Sequence, residues 1–235
     1  IVLLLLAVLA LQLFFVVRIA VMAVMAPQST TFERSEAWRI LSENNRLRWR
    51  QKWVDYTQIP DDLKRAVIRS EDDGFAYHEG VDWEALEKAW LANAKAEALK
   101  AAKNGSSKTE GTSKVVGAST ITQQLAKNLF LSGERTLWRK AQEFVLTYLL
   151  EVLLDKKRIL ELYLNHVEWG EGIFGAEAAA QHYFRKPVGE LSTLEASRLA
   201  VMLPRPRYFE KLPNSTYLAE RSAVIAHRLW MTELP

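Results

Sequence analysis

The chain has 235 residues, 49% of them hydrophobic and 25% charged, which supplies a sizeable core and excludes a disordered or collagen-like chain. Lys and Arg outnumber Asp and Glu by only 31 to 28, far from the dense basic stripe of nucleic-acid binders, so no nucleic acid is expected as a partner. There is no cysteine, which removes disulfide scaffolds, thiolate zinc sites, iron–sulfur centres and cysteine nucleophiles and leaves the compartment open.

The first 26 residues are apolar except for Gln12 and Arg18. As a helix they would be about 39 Å long, enough to cross a hydrocarbon core of roughly 30 Å. A cleaved signal peptide has a shorter apolar core, of roughly 7 to 15 residues, and Ala-Val-Met-Ala-Pro at 23–27 matches its cleavage site only loosely, so a retained span is the better reading. Arg18 is expected to snorkel outward or to mark a shorter span ending at Val17. Without the span, the remaining chain is about 44% apolar, ordinary for a soluble domain. From Trp38 to Tyr56, Arg39, Arg46, Arg48, Arg50 and Lys52 interleave with Trp38, Trp49 and Trp53. This mixture suits either a surface resting on anionic headgroups or an ordinary amphipathic helix whose tryptophans are core.

The rest predicts a mainly α fold, because alternating β-branched runs are missing and helical periodicity recurs. One helix should start near Pro60 and Asp61 and run into Ser70-Glu71-Asp72, since proline fits a first turn and acids suit the positive end. Another is expected from about Trp83 to Ala102, then a polar, glycine-punctuated loop from Lys103 to Val116. A long helical pattern from Leu137 to Asn165 should break near Asp155-Lys156-Lys157. The organisation expected is a transmembrane anchor over 1–27, a juxtamembrane segment over 28–59 and one domain over 60–235.

Four segments could carry chemistry. Glu71-Asp72-Asp73-Gly74-Phe75-Ala76-Tyr77-His78-Glu79-Gly80 gathers three carboxylates at the carbonyl end of a helix, where negative charge is disfavoured. A partly buried carboxylate there should have a raised pKa, which suits a group that takes a proton near neutrality; a solvated turn is the plainer alternative. In Gly117 to Leu131, Ser119 or Thr120 is a plausible N-cap and Thr120 with Gln123 makes a capping box. Thr120, Gln124 and Lys127 then form one polar stripe at i, i+4 and i+7 above an apolar face of Ile121, Leu125 and Leu129, and a helix N-terminus with a nearby lysine is a natural cradle for phosphate. Arg135, Arg139, Lys140 and Glu143 form the third cluster, readable by itself as a helical ion pair between Arg139 and Glu143. The fourth, Lys157 to Asn165 followed by Gly170, Gly175 and a small-residue run, reads as scaffold. The four histidines never fall in a His-Glu-x-x-His spacing, and no Walker loop, dinucleotide fingerprint or Gly-x-Ser-x-Gly elbow occurs.

In this order, the segments resemble the peptidoglycan glycosyltransferase family, glycosyltransferase family 51. Glu71-Asp72-x-x-Phe75-x-x-His78-x-Gly80 is similar to its first signature, Gly117 to Leu131 to its second, Arg139-Lys140-x-x-Glu143 to its third, and Ile159-Leu160-Glu161-x-Tyr163-Leu164-Asn165 with Gly170 to its fourth. Ala118 stands where many relatives have a second glycine, and the 103–116 loop is long for the family. The resemblance implies a lysozyme-like, mainly α-helical glycosyltransferase domain behind one N-terminal transmembrane helix. With no room after it for a transpeptidase domain, the monofunctional type is expected. It also implies polymerisation of lipid II into β-1,4 glycan with release of undecaprenyl pyrophosphate, at the cytoplasmic (inner) membrane with the domain on the periplasmic side. Glu71 then matches the general base and Glu143 the second catalytic glutamate. Asp72, Phe75, His78, Thr120, Gln124, Lys127, Asn128, Arg139 and Lys140 match positions that bind substrate or shape the cleft. The expected partners are lipid II, the growing strand and the bilayer, with division or elongation proteins left open; a divalent cation, Mg²⁺ or Mn²⁺, is an optional cofactor. A lysozyme-like hydrolase or lytic transglycosylase would cut the same polymer with one protonated glutamate and would not need the cations. A membrane-anchored scaffold would need neither.

Overall fold

The computed structural model describes residues 2–103, 119–131 and 136–235, with backbone only over 99–103. The expected loop at 103–116, Gly117, Ala118 and Arg135 fall outside the described residues, apart from the helical backbone at Lys103.

The helices are α1 (Val2–Met22), α2 (Thr31–Asn44), α3 (Asp61–Glu71), α4 (Trp83–Lys103), α5 (Ile121–Phe130), α6 (Leu137–Leu153), α7 (Lys156–His166), α8 (Ala176–Phe184), α9 (Thr193–Met202), α10 (Pro206–Glu210) and α11 (Thr216–Arg228). Three short strands, β1 (Arg50–Gln51), β2 (Glu168–Gly170) and β3 (Ile173–Phe174), form one sheet in the order β1-β3-β2. β1 runs parallel to β3 and β2 antiparallel, with an irregularity between Glu168 and Gly170. The mainly α expectation holds, and the strands are too short for alternation to reveal them.

Local chemistry sets the helix ends. Pro60 caps α3 with Asp61 and Asp62 in the first turn, as the sequence suggested. The break in the long helical pattern falls at Asp155, whose side chain accepts from the Arg158 N–H and starts α7. Around Trp38 to Tyr56 a continuous amphipathic helix is not formed. α2 stops at Asn44 and Asn45 takes a left-handed turn, φ 50°, a conformation Asn tolerates. The chain beyond it is drawn into the sheet and onto α7, where Asn165 holds both the N–H and the carbonyl of Val54 at 2.9 Å. Trp38 is 72% exposed, whereas Trp49 packs on Phe174 and Trp53 on His166 and Arg158, so two of the three tryptophans pack within the domain, though not on one helix. Arg39 and Lys52 are committed to carboxylates, Arg39 to Glu36, Glu43 and Glu171 and Lys52 to Glu177.

The core runs through the molecule, from α3 against α9 and α11 on one side to α5 against α6 and α7 on the other. Trp169 is fully buried, and its indole N–H donates to the Leu199 carbonyl at 2.9 Å. α1 is long and apolar enough to cross a membrane. Its first ten described residues are exposed, but Phe15, Ile19 and Met22, spaced for one helical face, are buried against the domain. Arg18 is turned to the Phe14 and Phe130 rings, 5.9 and 5.8 Å from their centroids, a cation over aromatic faces.

Candidate active site

The first two sequence segments meet directly, and the third lies on α6, which the Gly80 loop approaches at Thr147. α3 delivers Glu71 at its last residue, and the chain turns at once so that Asp72 points inward while Asp73 points out to Arg69, 2.6 Å away. The acidic cluster is thus three environments in three residues. Glu71 is partly buried and accepts from the Gln124 amide at 3.0 Å. Tyr163, fully buried on α7, donates its hydroxyl to the Gln124 carbonyl at 3.0 Å. Because the phenol donates, the Gln124 oxygen faces Tyr163 and its NH₂ is left to face Glu71. Burial pushes the Glu71 carboxyl above its ordinary range and the neighbouring Asp72 pushes it further, partly offset by Gln124. The direction matches the sequence expectation, but burial, rather than the helix end, is the main cause.

Asp72 is buried with both oxygens engaged. One faces His78 Nε2 at 2.8 Å and the other accepts the Ile121 N–H at 2.9 Å. This carboxylate therefore occupies the positive end of α5, where Thr120 adds its capping box with Gln123. The phosphate cradle expected at that helix end is filled from within the protein, which is a correction: an internal carboxylate supplies the negative charge that the free amides would otherwise attract. Thr120 also donates its hydroxyl to the Gly80 carbonyl at 2.6 Å. Gly80 sits at φ +84°, and a Cβ there would lie 2.7 Å from the Thr147 methyl on α6, so only glycine fits. Thr147 in turn donates to the carbonyl of Glu143, one turn back on α6. Glu71, Thr120 and the helix that carries Glu143 are therefore linked through one loop.

Phe75 is fully buried, with Lys156 Nζ 4.6 Å from its centroid and the His78 ring edge-on, so it shapes the floor rather than reaching solvent. On α5, Lys127 is exposed on the turn after Gln124, about 4.5 Å further along the axis, and Asn128 is buried beside it. Glu143 is buried, with one carboxylate oxygen 3.0 Å from Arg139 and the other in contact with Lys140. Two cations thus share one carboxylate, and Arg139 Nε is buried with no hydrogen-bond partner among the described residues. An open groove of about 500 Å³ runs past Glu71 between α3, α4 and the start of α5, lined also by Asp73, Asp82, Lys88 and Ser119.

Two residues lay beyond sequence reasoning from the pattern alone. Tyr163, read as scaffold, holds the amide that touches Glu71; its signal was its place in the fourth motif. Thr147 carries no motif signal and is placed by packing alone. No group of three or more metal-ligating side chains occurs among the described residues.

The family model described as Transglycosylase matches residues 39–230, and the chain belongs to this family. The biosynthetic peptidoglycan transglycosylase of Burkholderia thailandensis is 48% identical over 227 residues, covering 97% of this chain and 83% of that protein. The protein of the same name from Herminiimonas arsenicoxydans is 47% identical over 230 residues, covering 98% and 93%.

Proposed function

We propose that this protein is a peptidoglycan glycosyltransferase that polymerises lipid II. The 4-hydroxyl of the acceptor N-acetylglucosamine attacks C1 of the donor N-acetylmuramic acid, and its proton passes to Glu71 as the new C–O bond forms. The bond from C1 to the phosphate oxygen breaks, its electron pair leaves with undecaprenyl pyrophosphate, and the configuration inverts to β-1,4. A sugar hydroxyl is a weak nucleophile, so a base whose pKa lies near the working pH contributes most. The observation that carries the reading is a half-buried carboxylate with a raised pKa, fixed by Gln124, which shares one face of α5 with Lys127 and is itself held by Tyr163.

Charge developing on the pyrophosphate needs cations and donors, not a proton. Lys127, Arg139 and Lys140 fill that role. Arg139 brings a buried N–H with no partner among the described residues, and Glu143 holds Arg139 and Lys140 in place. Those cations favour synthesis over the hydrolase alternative, which has no departing diphosphate. Asp72, Phe75, His78 and Thr120 act by positioning. The donor set does not suit a bound Mg²⁺ or Mn²⁺ held by side chains, because both Glu143 oxygens face cations and both Asp72 oxygens are taken, so no step is routed through a metal. The apolar α1 anchors the protein in the cytoplasmic membrane, with the domain on the outer face where lipid-linked sugars are displayed.

Incubation of labelled lipid II with the purified full chain in detergent tests this. The wild type should make polymer and Glu71→Gln should make almost none; shortening of existing sacculi without polymer would favour the hydrolase, and equal polymer from both would remove Glu71 as base.

A further inference from the structure

We propose that Gln12 of the membrane anchor and Gln142 of α6 form a clasp through which the anchor positions the cationic half of the active site. The inference rests on the reading of α1 as a membrane span and of Arg139, Lys140 and Glu143 as donor-side groups. Gln12 and Gln142 bond reciprocally, amide to carbonyl at 3.1 Å in one direction and 3.3 Å in the other. Gln12 is one of two residues that interrupt the apolar run, and an amide at that depth is costly unless its donors and acceptor are met. Here the domain meets one amide N–H and the carbonyl.

The clasp matters because of what else holds this end of α6. The second half of the helix is locked by Leu146, Thr147 and Leu150, all buried. The first half is not: Leu137 and Trp138 are 89% and 87% exposed, and the side-chain partners of Arg139 and Lys140 among the described residues, Glu143 and the Phe144 ring, lie on their own helix. Over residues 137–142 the Gln142–Gln12 pair is the one side-chain hydrogen bond to another element among the described residues. The anchor itself is firmly seated, with Phe15 edge-on to Phe130 at 5.4 Å and Arg158 Nε donating to the Met22 carbonyl at 2.7 Å. A fixed α1 therefore transmits its position to the turn that presents Arg139, Lys140 and Glu143. Gln12 and Gln142 are positioning residues, since neither reaches the reacting atoms.

The test uses the full chain in phospholipid nanodiscs, with Gln12→Leu, Gln142→Leu, the double variant and Glu143→Gln. Gln12→Leu places an apolar residue in an apolar span, so loss of folding is not its expected effect. Each single variant should lower kcat for lipid II polymerisation by roughly fivefold to tenfold with KM within about twofold, and the double variant should be no worse than either single, as coupled residues behave. Amide hydrogen exchange over 137–143 should rise by about tenfold in Gln12→Leu while 146–153 stays unchanged. Unchanged exchange over 137–143, unchanged kcat in both singles, or additive losses in the double would each overturn the clasp. If Glu143→Gln polymerises like the wild type, the donor-side reading fails instead, and the exchange measurement still decides the clasp.

Discussion

At the scale of single residues, the proposed mechanism rests on Glu71 and its two supports, Gln124 and Tyr163. A carboxylate whose pKa is raised by burial is more easily carried in its protonated form, so at neutral pH its ionised state costs the fold some stability. The sign follows: stability linked to this group is full below the unfolded pKa and is lost as pH rises through the higher folded one. Glu71→Gln should therefore cut kcat by about a hundredfold or more, while raising Tm at pH 7.5 by about one to three degrees. Calorimetry and the polymerisation assay on one preparation check both. The Gln124 bond lowers the Glu71 pKa, so Gln124→Leu should move the acid limb of the kcat/KM profile to higher pH; a limb that stays put or moves down would mean the amide does not tune this carboxyl. Tyr163→Phe leaves the amide free to flip and should produce a smaller shift in the same direction.

At the scale of elements, the site depends on how three helices are pinned around one loop. Asp72 supplies the charge that α5 needs at its start, and Gly80 lets the loop approach α6 closely enough for Thr120 to bond it. Gly80→Ala combines a left-handed φ with a 2.7 Å contact at Thr147, so a loss of about 2 kcal/mol in urea unfolding is expected, together with reduced activity. Asp72→Asn keeps the shape but removes the charge from the α5 terminus, for an expected loss of about 1–2 kcal/mol. A smaller effect than an exposed cap mutation would show that the carboxylate is not engaged there.

At the scale of the whole molecule, the anchor and the domain are packed together rather than strung on a linker. Phe15, Ile19 and Met22 belong to the same core as Ile59 and Leu63. A chain beginning at residue 28 would expose the face of α5 and α6 that α1 covers. It should melt lower than the full chain in the same detergent and polymerise more slowly even when lipid II is equally soluble, as read by light-scattering melts and single-turnover rates.

The sequence alone determined the helical class, the starts of α3 and α7, the apolar span and the family, because each is written in local spacing, capping and motif order. Trp38 to Tyr56 shows where that reading stops: helical composition could not foretell that Arg50 and Gln51 would join a sheet or that Asn165, a hundred residues on, would hold Val54 against α7. The tertiary structure alone decided that Asp72 fills the α5 terminus, that Tyr163 supports the catalytic side, and that Gln12 meets Gln142. Each of these joins residues many positions apart whose burial no local pattern encodes, and burial is what turns an ordinary carboxylate, phenol or amide into a working part of the site.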